Sequence, residues 1–280
     1  MDPRYQQLVA RIRLGHSDRI AGLFAMLADL TQADLLLALP ASTPDLAQKF
    51  DLPPERVDAM LQDLFRKGLV FINAKAVPHV WRMGRDLVQF HDATLVWPEA
   101  TQEFIDLWRD FMEEEWPALA KAVAAATPRP FTRVIPVGVS ISPRQQILAF
   151  ESVAQMIDKA DTVAVTKCTC RLSMRHCDRP LDNCLQVGRA AQYTIARGSG
   201  RQISKDEALD ILRQAEEAGL IHVTVNKQDV SNFICNCCPC CCQTMPVLLK
   251  HGTYVVDPSR FTARVDAYRN LVIERVERDA

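Results

Sequence analysis

The ten cysteines of this 280-residue chain all lie in its second half, and they constrain its chemistry more than any other feature. Six of them fall in the block 235–242, which reads Cys-Asn-Cys-Cys-Pro-Cys-Cys-Cys. The other four lie upstream with the spacing C-x-C-x6-C-x6-C, at Cys168, Cys170, Cys177 and Cys184. A buried cysteine behaves as a small hydrophobic residue and needs no neighbour of its own kind. The clustering therefore predicts thiolate chemistry, and above all the binding of metal by thiolates.

The rest of the composition sets the class of protein. A chain of 280 residues buries a sizeable core, and two domains are expected. A net charge of −1 gives no electrostatic reason to expect a nucleic-acid or membrane-surface partner. Residues 1–16 lack the apolar stretch of a secretory signal, and no apolar run is long enough to predict a membrane span. We therefore expect a reducing cytoplasm, where cysteines are metal ligands or redox groups.

The N-terminal half predicts helices followed by a hairpin. Apolar spacing and capping residues predict two helices within 18–39, starting near Asp18 and Thr31, a short helix from Thr43 and an amphipathic helix at 54–67. Further apolar runs and turn signals predict strands at 69–72 and 80–81, and a helix at 101–126 that is broken at Pro117. This order of elements is typical of a winged helix-turn-helix, which we expect within a domain spanning 1–126.

A winged helix-turn-helix binds DNA by placing its longer helix, here 54–67, in a major groove. The acidic and basic residues of this helix balance, whereas phosphate binding needs an excess of Lys and Arg. We therefore expect a structural or docking role for this domain, including docking on a second copy of the chain as a homodimer. Nucleic acid is not the expected partner.

The C-terminal half is expected to form a second domain. A proline-rich linker is predicted at 127–143, followed by a cysteine-rich domain at 144–280. Its predicted elements are helices at 144–159, 185–196 and 204–219, and strands at 162–166 and 220–225. The fold class expected for the chain is mainly α with small β elements (α+β), with the cysteine-rich part as an iron–sulfur domain.

Metal–thiolate chemistry explains the upstream cysteines best. Neighbouring thiolates repel one another unless a cation compensates, and a bound metal does so. Soft thiolate sets select zinc, Cu(I) or iron–sulfur clusters. The spacing is not the paired C-x2-4-C of structural zinc, whereas four thiolates can wrap one [4Fe–4S] cluster. We predict that the upstream cysteines, Cys168, Cys170, Cys177 and Cys184, bind one such cluster.

The block 235–242 offers more thiols than one cluster requires. Its members are Cys235, Cys237, Cys238, Cys240, Cys241 and Cys242. All six are candidate cofactor-binding residues, and the candidate metal ligands among them are Cys237, Cys238, Cys241 and Cys242. The spacing leaves open whether these cysteines bind a second cluster, complete the first, remain free or contact a substrate.

Two other residue types near the cysteines are weaker candidates. His176 and His222 are possible ligands, because imidazole replaces cysteine in some clusters, but a lone histidine is more often structural. Five basic residues lie near the upstream cysteines: Lys167, Arg171, Arg175, Arg179 and Arg189. Two alternatives are open for them: they offset the negative charge of a cluster, or they form a solvated face.

Several motifs together carry a resemblance to a known group of proteins. They are Cys168-x-Cys170-Arg171, Cys177-Asp178-x-Pro180-Leu181 with Cys184, the helix start Ile203-Ser204-Lys205-x-Glu207-Ala208, and Ile234-Cys235-Asn236-Cys237-Cys238-x-Cys240-Cys241-Cys242. This combination resembles ferredoxin-like 4Fe–4S iron–sulfur proteins of anaerobic bacteria and archaea, over roughly residues 144–265. The resemblance implies a [4Fe–4S] cofactor rather than a particular reaction.

The chain departs from the longer members of that group. In those proteins a segment similar to 258–266 leads into a two-cluster ferredoxin module, whereas here a tail without cysteine, expected to be helical, follows Asp266. We therefore expect either that a redox partner protein supplies the relay or that the thiol-rich site does something other than relay electrons.

Three functions are compatible with the sequence. The first is an iron–sulfur protein with one or two [4Fe–4S] clusters, acting in electron transfer or as an oxidoreductase subunit. The second is a structural or storage protein for zinc or copper bound by thiolates. The third is a winged-helix regulator that responds to redox state or metal. No G-x-S-x-G, G-x-G-x-x-G or P-loop motif points to hydrolysis or nucleotide binding.

Overall fold

The computed structural model describes residues 1–73, 76–127, 129–135, 153–226, 232–257, 261–265 and 271–275. It is a mixed α/β structure, consistent with the expected α+β class. The chain divides into two compact units. Unit 1 comprises Met1–Glu115 and Ala196–Ser199, and unit 2 comprises Trp116–Ile195 and Gly200–Ala280.

Unit 1 combines helices with a small sheet. Its helices are α1 (Pro3–Arg11), α2 (Asp18–Leu27), α3 (Leu30–Ala38), α4 (Thr43–Phe50), α5 (Pro54–Arg66), α6 (Leu87–Thr94) and α7 (Gln102–Glu114). The strands β1 (Ala41–Ser42), β2 (Val70–Asn73) and β3 (Val80–Met83) form a three-stranded antiparallel sheet in the order β1-β3-β2. The predicted hairpin and the predicted helix at 54–67 are both confirmed as elements.

Aromatic side chains fill the core of unit 1. Trp108 is fully buried on α7 and packs against Phe90 and Phe111, while Phe24 stacks on Phe90 with ring centroids 4.3 Å apart. The aromatic stripe of α7 is thus core packing. Gly68 ends α5 with a φ of +86°, and a Cβ there would collide with the backbone of Ala93, so only glycine fits.

The helix caps of unit 1 lie one or two residues before those predicted. Ser17 caps α2, Asp29 forms a capping box with Gln32 on α3, and Ser42 caps α4. The predicted caps Asp18 and Thr43 are instead the first helical residues. Where several Ser, Thr and Asp residues adjoin, local pattern does not decide which side chain turns back onto the helix.

The short segment Ala196–Ser199 belongs to unit 1 through a buried arginine. Arg197 is 7% exposed, and it donates from Nε to the carbonyl of Phe65 at 2.9 Å and from Nη2 to that of Val70 at 2.8 Å. Its guanidinium also lies 4.8 Å and 4.3 Å from the ring centres of Phe65 and Phe71. Backbone carbonyls and aromatic faces thus satisfy this cation.

Unit 2 is built on a seven-stranded sheet. Its helices are α8 (Trp116–Ala126), α9 (Val153–Asp158), α10 (Thr169–Met174), α11 (Arg189–Ala196), α12 (Lys205–Glu217) and α13 (Met245–His251). Its strands are β4 (Thr132–Val134), β5 (Val163–Lys167), β6 (Asp182–Val187), β7 (Gly200–Ile203), β8 (Ile221–Val225), β9 (Phe233–Cys237), β10 (Val256–Asp257), β11 (Phe261–Val265) and β12 (Leu271–Arg275). The sheet order is β10-β4-β8-β9-β6-β5-β7, antiparallel except for β10 with β4.

One face of this sheet carries an apolar core. Val165, Leu185 and Ile234 from three neighbouring strands are buried together with Ala208 and Leu212 of α12. Ser204 caps α12 by accepting from the N–H of Glu207 at 3.1 Å, which confirms the predicted start of that helix. Unit 2 therefore has an ordinary hydrophobic core in addition to its cysteines.

Several predictions for unit 2 differ from the structure. The helix expected at 185–196 begins only at Arg189, because Asp182–Val187 pairs as a strand with β5 and β9 and buries alternate residues. The tail expected to be helical contains a strand at Leu271–Arg275, in keeping with its β-branched run. For the helix expected at 144–159, residues 144–152 lie outside the described part of the chain.

The predicted domain boundary also differs from the division of the structure. The break falls after Glu115, where α7 ends, so Pro117 lies in the first turn of α8. Part of the expected linker at 127–143 is strand β4, although residues 128 and 136–143 lie outside the described part.

In the part of the chain that the structure describes, no single helix is both long and apolar enough to cross a membrane. The pair Asp18–Leu27 and Leu30–Ala38 passes this test together on length and composition, with a bend of 107° at the break.

Candidate metal centre

Apart from Cys184, which lies on β6, the cysteines of unit 2 are carried by α10 with its flanking residues, by β9 and by the turn after β9. Cys168 immediately precedes α10, Cys170 lies within it, and Cys177 lies in the loop that follows. Cys235 and Cys237 belong to β9, and Cys238 opens the turn that holds the remaining thiols of the block 235–242. The indole N–H of Trp116 donates to the carbonyl of Gln243 at 2.7 Å and fixes the end of this turn.

Four thiols meet in what we call the first cysteine group, formed by Cys177, Cys238, Cys240 and Cys241. Their Sγ atoms all lie within 4.8 Å of one another. The Sγ of Cys177 is 3.9 Å from that of Cys238 and 3.8 Å from that of Cys241, and the sulfurs of Cys240 and Cys241 are 3.8 Å apart. This group could hold a metal ion.

The first cysteine group is partly shielded from water by apolar side chains. Cys238 and Cys241 are buried among Ala215 and Leu220, whereas Cys177 and Cys240 are half-buried. Burial raises the pKa of Cys177. The backbone N–H of Arg179 and the neighbouring thiols lower it by more than burial raises it, so the pKa lies below the ordinary value. Cys177 is therefore the thiol of this group that most favours the thiolate form.

The neighbours of Cys177 favour the protonated form. Burial, together with nearby thiols, raises the pKa of Cys240. Burial also raises the pKa of Cys241, although the backbone N–H of His176 opposes this rise. A cation bound in the group would reverse this preference, because coordination deprotonates a thiol.

Four other thiols form what we call the second cysteine group, Cys168, Cys170, Cys237 and Cys242. Cys170 interacts with Cys168 and Cys242, and Cys237 interacts with Cys242. Among the described residues, only the first cysteine group brings three or more ligand atoms within 4.8 Å of one another. Cys237 and Cys242 are each 9% exposed, while Cys168 and Cys170 are half-buried. The group draws on α10, β9 and the turn after β9.

Cys242 is the main acceptor of the second cysteine group. The thiols of Cys170 and Cys237 lower its pKa well below the ordinary value, and so do the hydroxyl of Thr244 and the backbone N–H of Met245. Its Sγ lies 3.3 Å from the Oγ1 of Thr244 and 3.4 Å from the backbone nitrogen of Thr244. Such a set of donors stabilises a thiolate.

Cys168 is the second acceptor. The Cys170 thiol lowers the pKa of Cys168 to about 7, against the raising effect of burial and with help from the charge and the backbone N–H of Arg171. The pKa of Cys170 is raised well above the ordinary value, because the neighbouring thiols Cys168 and Cys242, together with burial, favour its protonated form. For Cys237, Cys235 lowers the pKa, but Cys242 and burial raise it well above the ordinary value.

Consecutive cysteines of the block 235–242 serve different groups. Cys237 lies with the second group and Cys238 with the first, and the same division separates Cys242 from Cys241. Neighbouring residues in an extended chain point to opposite sides, so a Cys-Cys pair at the end of a strand can supply one thiol to each of two sites.

Arg171 brings a positive charge to both groups. Its side chain is 3% exposed, and its Nη2 donates to the Oδ1 of Asn183 at 2.8 Å and to the carbonyl of Asn236 at 2.9 Å. Its Nε and Nη1 are buried without a hydrogen-bond partner among the described residues. The charge of Arg171 acts on Cys168 and Cys237 of the second group and on Cys177 and Cys238 of the first.

The structure groups the thiols differently from the sequence-based prediction. The predicted set was Cys168, Cys170, Cys177 and Cys184 around one cluster. Instead, Cys177 lies with three cysteines of the block, and Cys168 and Cys170 lie with Cys242. The cause is α10 and the loop after it, which separate Cys177 from Cys168 and Cys170.

Cys184 and Cys235 sit on strands beside these groups. Cys184 pairs with Thr166 across β5 and β6, lies outside the first group, and accepts from the Nε2 of Gln186 at 3.2 Å. Cys235 is half-buried on β9 and contacts the Cys237 thiol. The candidate ligands Cys237, Cys238, Cys241 and Cys242 are all found within the two groups.

The two candidate histidines make backbone or amide contacts. The Nδ1 of His176 lies 3.2 Å from the carbonyl of Cys240, and the Nδ1 of His222 lies 2.6 Å from the Oδ1 of Asn236. Burial lowers the pKa of His222, with partial opposition from its bond to Asn236. Both rings therefore support the chain that carries the thiols.

Among the basic residues considered from sequence, Arg171 stands apart. Arg175 and Arg179 donate to backbone carbonyls at 3.3 Å and 2.7 Å, and Arg189 donates to the Tyr193 hydroxyl at 3.1 Å. Sequence reasoning also missed Asn183 and Asn236, which accept from Arg171. Asparagine is depleted in strand interiors, and its presence on both β6 and β9 was the signal available.

The first cysteine group fits a thiophilic metal. Four soft donors converge, and the nearby Arg171 has donors without neutral partners. A tetrahedral ion with sulfur bonds of about 2.3 Å separates its ligand sulfurs by about 3.8 Å, which matches the closest separations observed. Comparison of the chain with protein-family models, with curated proteins and with solved structures gives no match.

Proposed function

We propose that this chain is a metal–thiolate protein whose cysteine-rich unit acts in electron transfer, alone or as an oxidoreductase subunit, with iron–sulfur chemistry at its thiols. The observation that carries the proposal is the convergence of Cys177, Cys238, Cys240 and Cys241 from two separate segments. When bound, an iron–sulfur cluster would supply one-electron exchange, and these four residues would hold it.

The redox role is favoured over a structural one by the packing of unit 2. Small domains use structural metals where they cannot bury enough apolar surface. Unit 2 already buries Val165, Leu185, Ile234 and their neighbours beneath a seven-stranded sheet. Cys237, Cys238, Cys241 and Cys242 belong to two smaller buried clusters that are separate from this core. The main core therefore does not depend on a metal, which supports a chemical role.

The protein's own residues would then shape the environment of the metal. The backbone N–H groups of Arg179 and His176 donate to sulfurs of the first cysteine group. Hydrogen bonds to ligand sulfur and a nearby buried cation both make a reduced, more negative centre easier to form. Ala215 and Leu220 exclude water from one side, while half-buried Cys177 and Cys240 leave the other side within reach of a redox partner.

A specific observation favours a second candidate, a zinc or copper thiolate site. The sulfur separations of 3.8–3.9 Å suit four ligands on one ion. In a [4Fe–4S] cluster each thiolate binds a different iron, so the four sulfurs must lie farther apart. Insertion of a cluster would require the turn that holds Cys240 and Cys241 to open.

For unit 1 we propose a winged helix-turn-helix that docks protein rather than DNA. The proposal is supported by the sequence of elements along the chain from α3 to β3 and by the strand order β1-β3-β2 within the sheet. At the end of α5, Arg66 pairs with Glu99, and the next residue, Lys67, pairs with Asp63, which leaves no excess of positive charge. Duplex binding that is tight and sequence-specific at physiological salt would contradict this role.

Metal analysis of anaerobically purified protein tests the proposal. Iron, acid-labile sulfide and zinc would be measured per chain, with absorption and EPR spectra of the same sample. About four irons and four sulfides per cluster are expected if the proposal is correct. Zinc without sulfide would overturn the iron–sulfur proposal in favour of the second candidate, a zinc or copper thiolate site. The absence of any bound metal would overturn both candidates.

A further inference from the structure

We infer that Cys177 and Cys241 form a reversible disulfide when the metal-free first cysteine group is oxidised, so that oxidation controls whether this group can hold metal. The disulfide itself rests on the positions of the thiols. Its consequence for metal rests on the metal-binding role proposed for the same group.

The sulfurs of the two residues are already in contact. The Sγ atoms of Cys177 and Cys241 lie 3.8 Å apart, and those of Cys177 and Cys238 lie 3.9 Å apart. A disulfide requires about 2.05 Å between its sulfurs, so rotation of the side chains and a small movement of one backbone segment would close the gap. Either bond would join the loop after α10 to the segment after β9.

Backbone geometry argues against a bond between Cys240 and Cys241, although their sulfurs are also 3.8 Å apart. Consecutive Cα atoms are about 3.8 Å apart across a trans peptide, whereas the two Cα atoms of a disulfide are usually about 4.4–6.8 Å apart. The peptide between these two residues is not among the cis bonds of the described chain. A bond between adjacent cysteines would therefore be strained, which favours a bond between segments.

The choice between the two partners of Cys177 depends on which backbone can move. Cys238 directly follows β9, whose last residue Cys237 is paired with β8, and Pro239 restricts the backbone after it. Cys241 lies in the turn that follows. The turn can shift towards Cys177 without breaking the pairing of a strand, so Cys241 is the partner.

Hydrogen peroxide is an oxidant small enough to reach the group. Cys177 is half-buried, whereas Cys241 is 1% exposed, so peroxide meets Cys177 first. The sulfur of Cys177 attacks one peroxide oxygen, the O–O bond breaks, and a sulfenic acid and one water form. The sulfur of Cys241 then attacks the sulfenic sulfur, the S–O bond breaks, and the hydroxyl leaves with the thiol proton of Cys241 as a second water. The two thiols together lose two electrons, and the peroxide is reduced to two waters.

The bridge would disable the first cysteine group as a metal site. Of its four converging thiols, Cys238 and Cys240 alone would remain able to bind as thiolates. A structural zinc ion and a [4Fe–4S] cluster each take four protein ligands, so a site with two thiolates would release its metal. Reduction of the bridge by a thiol such as glutathione would restore all four ligands.

Peroxide treatment of the reduced, metal-free full chain tests the disulfide. Free thiols would be counted with a thiol reagent, and linked peptides would be assigned by mass spectrometry with fragmentation. A loss of about two thiols per chain, a linkage of Cys177 to Cys241 and full reversal by dithiothreitol are expected. Linkage of Cys177 to Cys238 instead, or oxidation that dithiothreitol does not reverse, would overturn the inference.

Single variants sharpen the assignment. Formation of an intersegment bridge should be at least about tenfold slower in C241S than in the wild type. The matched control C184S, which lies outside the first cysteine group, should stay within about twofold of the wild type. Equal rates in C241S and wild type would contradict the role of Cys241. The linkage found in the wild type requires no variant, so a variant that fails to fold does not hide the result.

Zinc separates this inference from the proposed metal site. Protein loaded with Zn²⁺ should form the bridge at least about tenfold more slowly than metal-free protein, because the metal occupies the sulfurs. Zinc binding combined with no bridge in the metal-free protein would overturn the disulfide and leave the metal site. A bridge that forms equally fast with and without Zn²⁺ would overturn the metal-binding role of the group and leave the disulfide.

Discussion

Arg197 in unit 1 and Arg171 in unit 2 are both buried but are held in different ways. In unit 1, the guanidinium of Arg197 donates to two backbone carbonyls and lies against the rings of Phe65 and Phe71. In unit 2, the guanidinium of Arg171 donates from Nη2 alone to neutral acceptors, and its Nε and Nη1 remain without partners among the described residues.

The difference teaches what each arginine is for. A cation satisfied by carbonyls and aromatic faces needs no anion, so Arg197 is part of the structure of unit 1. A cation with unused donors beside thiols is suited to an anionic partner that is present only when metal is bound. Replacing Arg197 should therefore change folding stability, and replacing Arg171 should change metal binding.

The largest effect on folding is expected from Arg197→Ala. The change removes two hydrogen bonds from a charged donor, worth about 1.5–3 kcal/mol each, so the free energy of unfolding should fall by about 3 kcal/mol or more. Urea denaturation of metal-free and loaded protein measures it, and the loss should be equal in both. The exposed Arg213, which pairs with Asp210, is the control, since R213A should cost less than about 1 kcal/mol.

Arg171→Met should produce the largest effect on metal binding. Loss of the cation is expected to weaken metal affinity by about 10–100-fold, as for other groups that support ligands. Competition with a chelator measures this change, and the destabilisation of the metal-free protein should be smaller than that of R197A. If the centre is iron–sulfur, its reduction potential should become more negative.

The conservative variant R171K sharpens this test. Lysine keeps the charge but loses the fixed fork of donors, so an intermediate affinity is expected. Equal affinities for wild type and R171M would remove the distinction between the two arginines.

The pH dependence of the metal-free protein gives a third test. Because the pKa of Cys168 is lowered to about 7 in the folded chain, its thiolate favours the fold above the ordinary thiol pKa. This contribution is lost as the pH falls through about 7. Alkylation of Cys168 against pH, read by mass spectrometry, should show this midpoint.

Each arginine should affect this midpoint differently. Arg171→Met should move the Cys168 midpoint upward, since its charge is one of the causes of the lowering, and Arg197→Ala should leave it in place. A midpoint that stays at the ordinary value of a free thiol in the wild type would contradict the described environment of Cys168.

The smallest effect is expected at His222. Its imidazole supports Asn236, whose carbonyl accepts from Arg171, and its lowered pKa keeps it neutral near pH 7. His222→Gln should leave the number of bound metal equivalents unchanged and alter the affinity by less than about threefold. Loss of a whole equivalent would instead make His222 a ligand.

Local patterns in the sequence predicted several helices and strands but not the grouping of the thiols. The helix at α12 and the strands β5 and β8 follow from capping and β-branched runs. The last three residues of strand β6, 185–187, were predicted as the start of a helix, because Leu185 and Val187 suit either period and only pairing with β5 and β9 decides.

The metal-binding residue types were predictable, whereas their partners were not. Spacing showed which cysteines are close in sequence, but Cys177 meets Cys238 only through the packing of the loop after α10 on the turn after β9. The part played by Arg171 was equally hidden, since sequence does not distinguish a buried arginine from Arg175 or Arg179 at the surface. Long-range contacts of this kind arise from the tertiary fold.

X-ray absorption at the metal edge of the anaerobically loaded protein tests the central claim most directly. The account predicts a first shell of about four sulfurs per metal at about 2.3 Å, with lower metal content in C177S/C240S than in C184S. A metal–metal distance in the same spectrum would identify an iron–sulfur cluster. A spectrum without such a distance would identify a single bound ion. A first shell of nitrogen and oxygen would contradict the account, because cysteine would then not be the ligand.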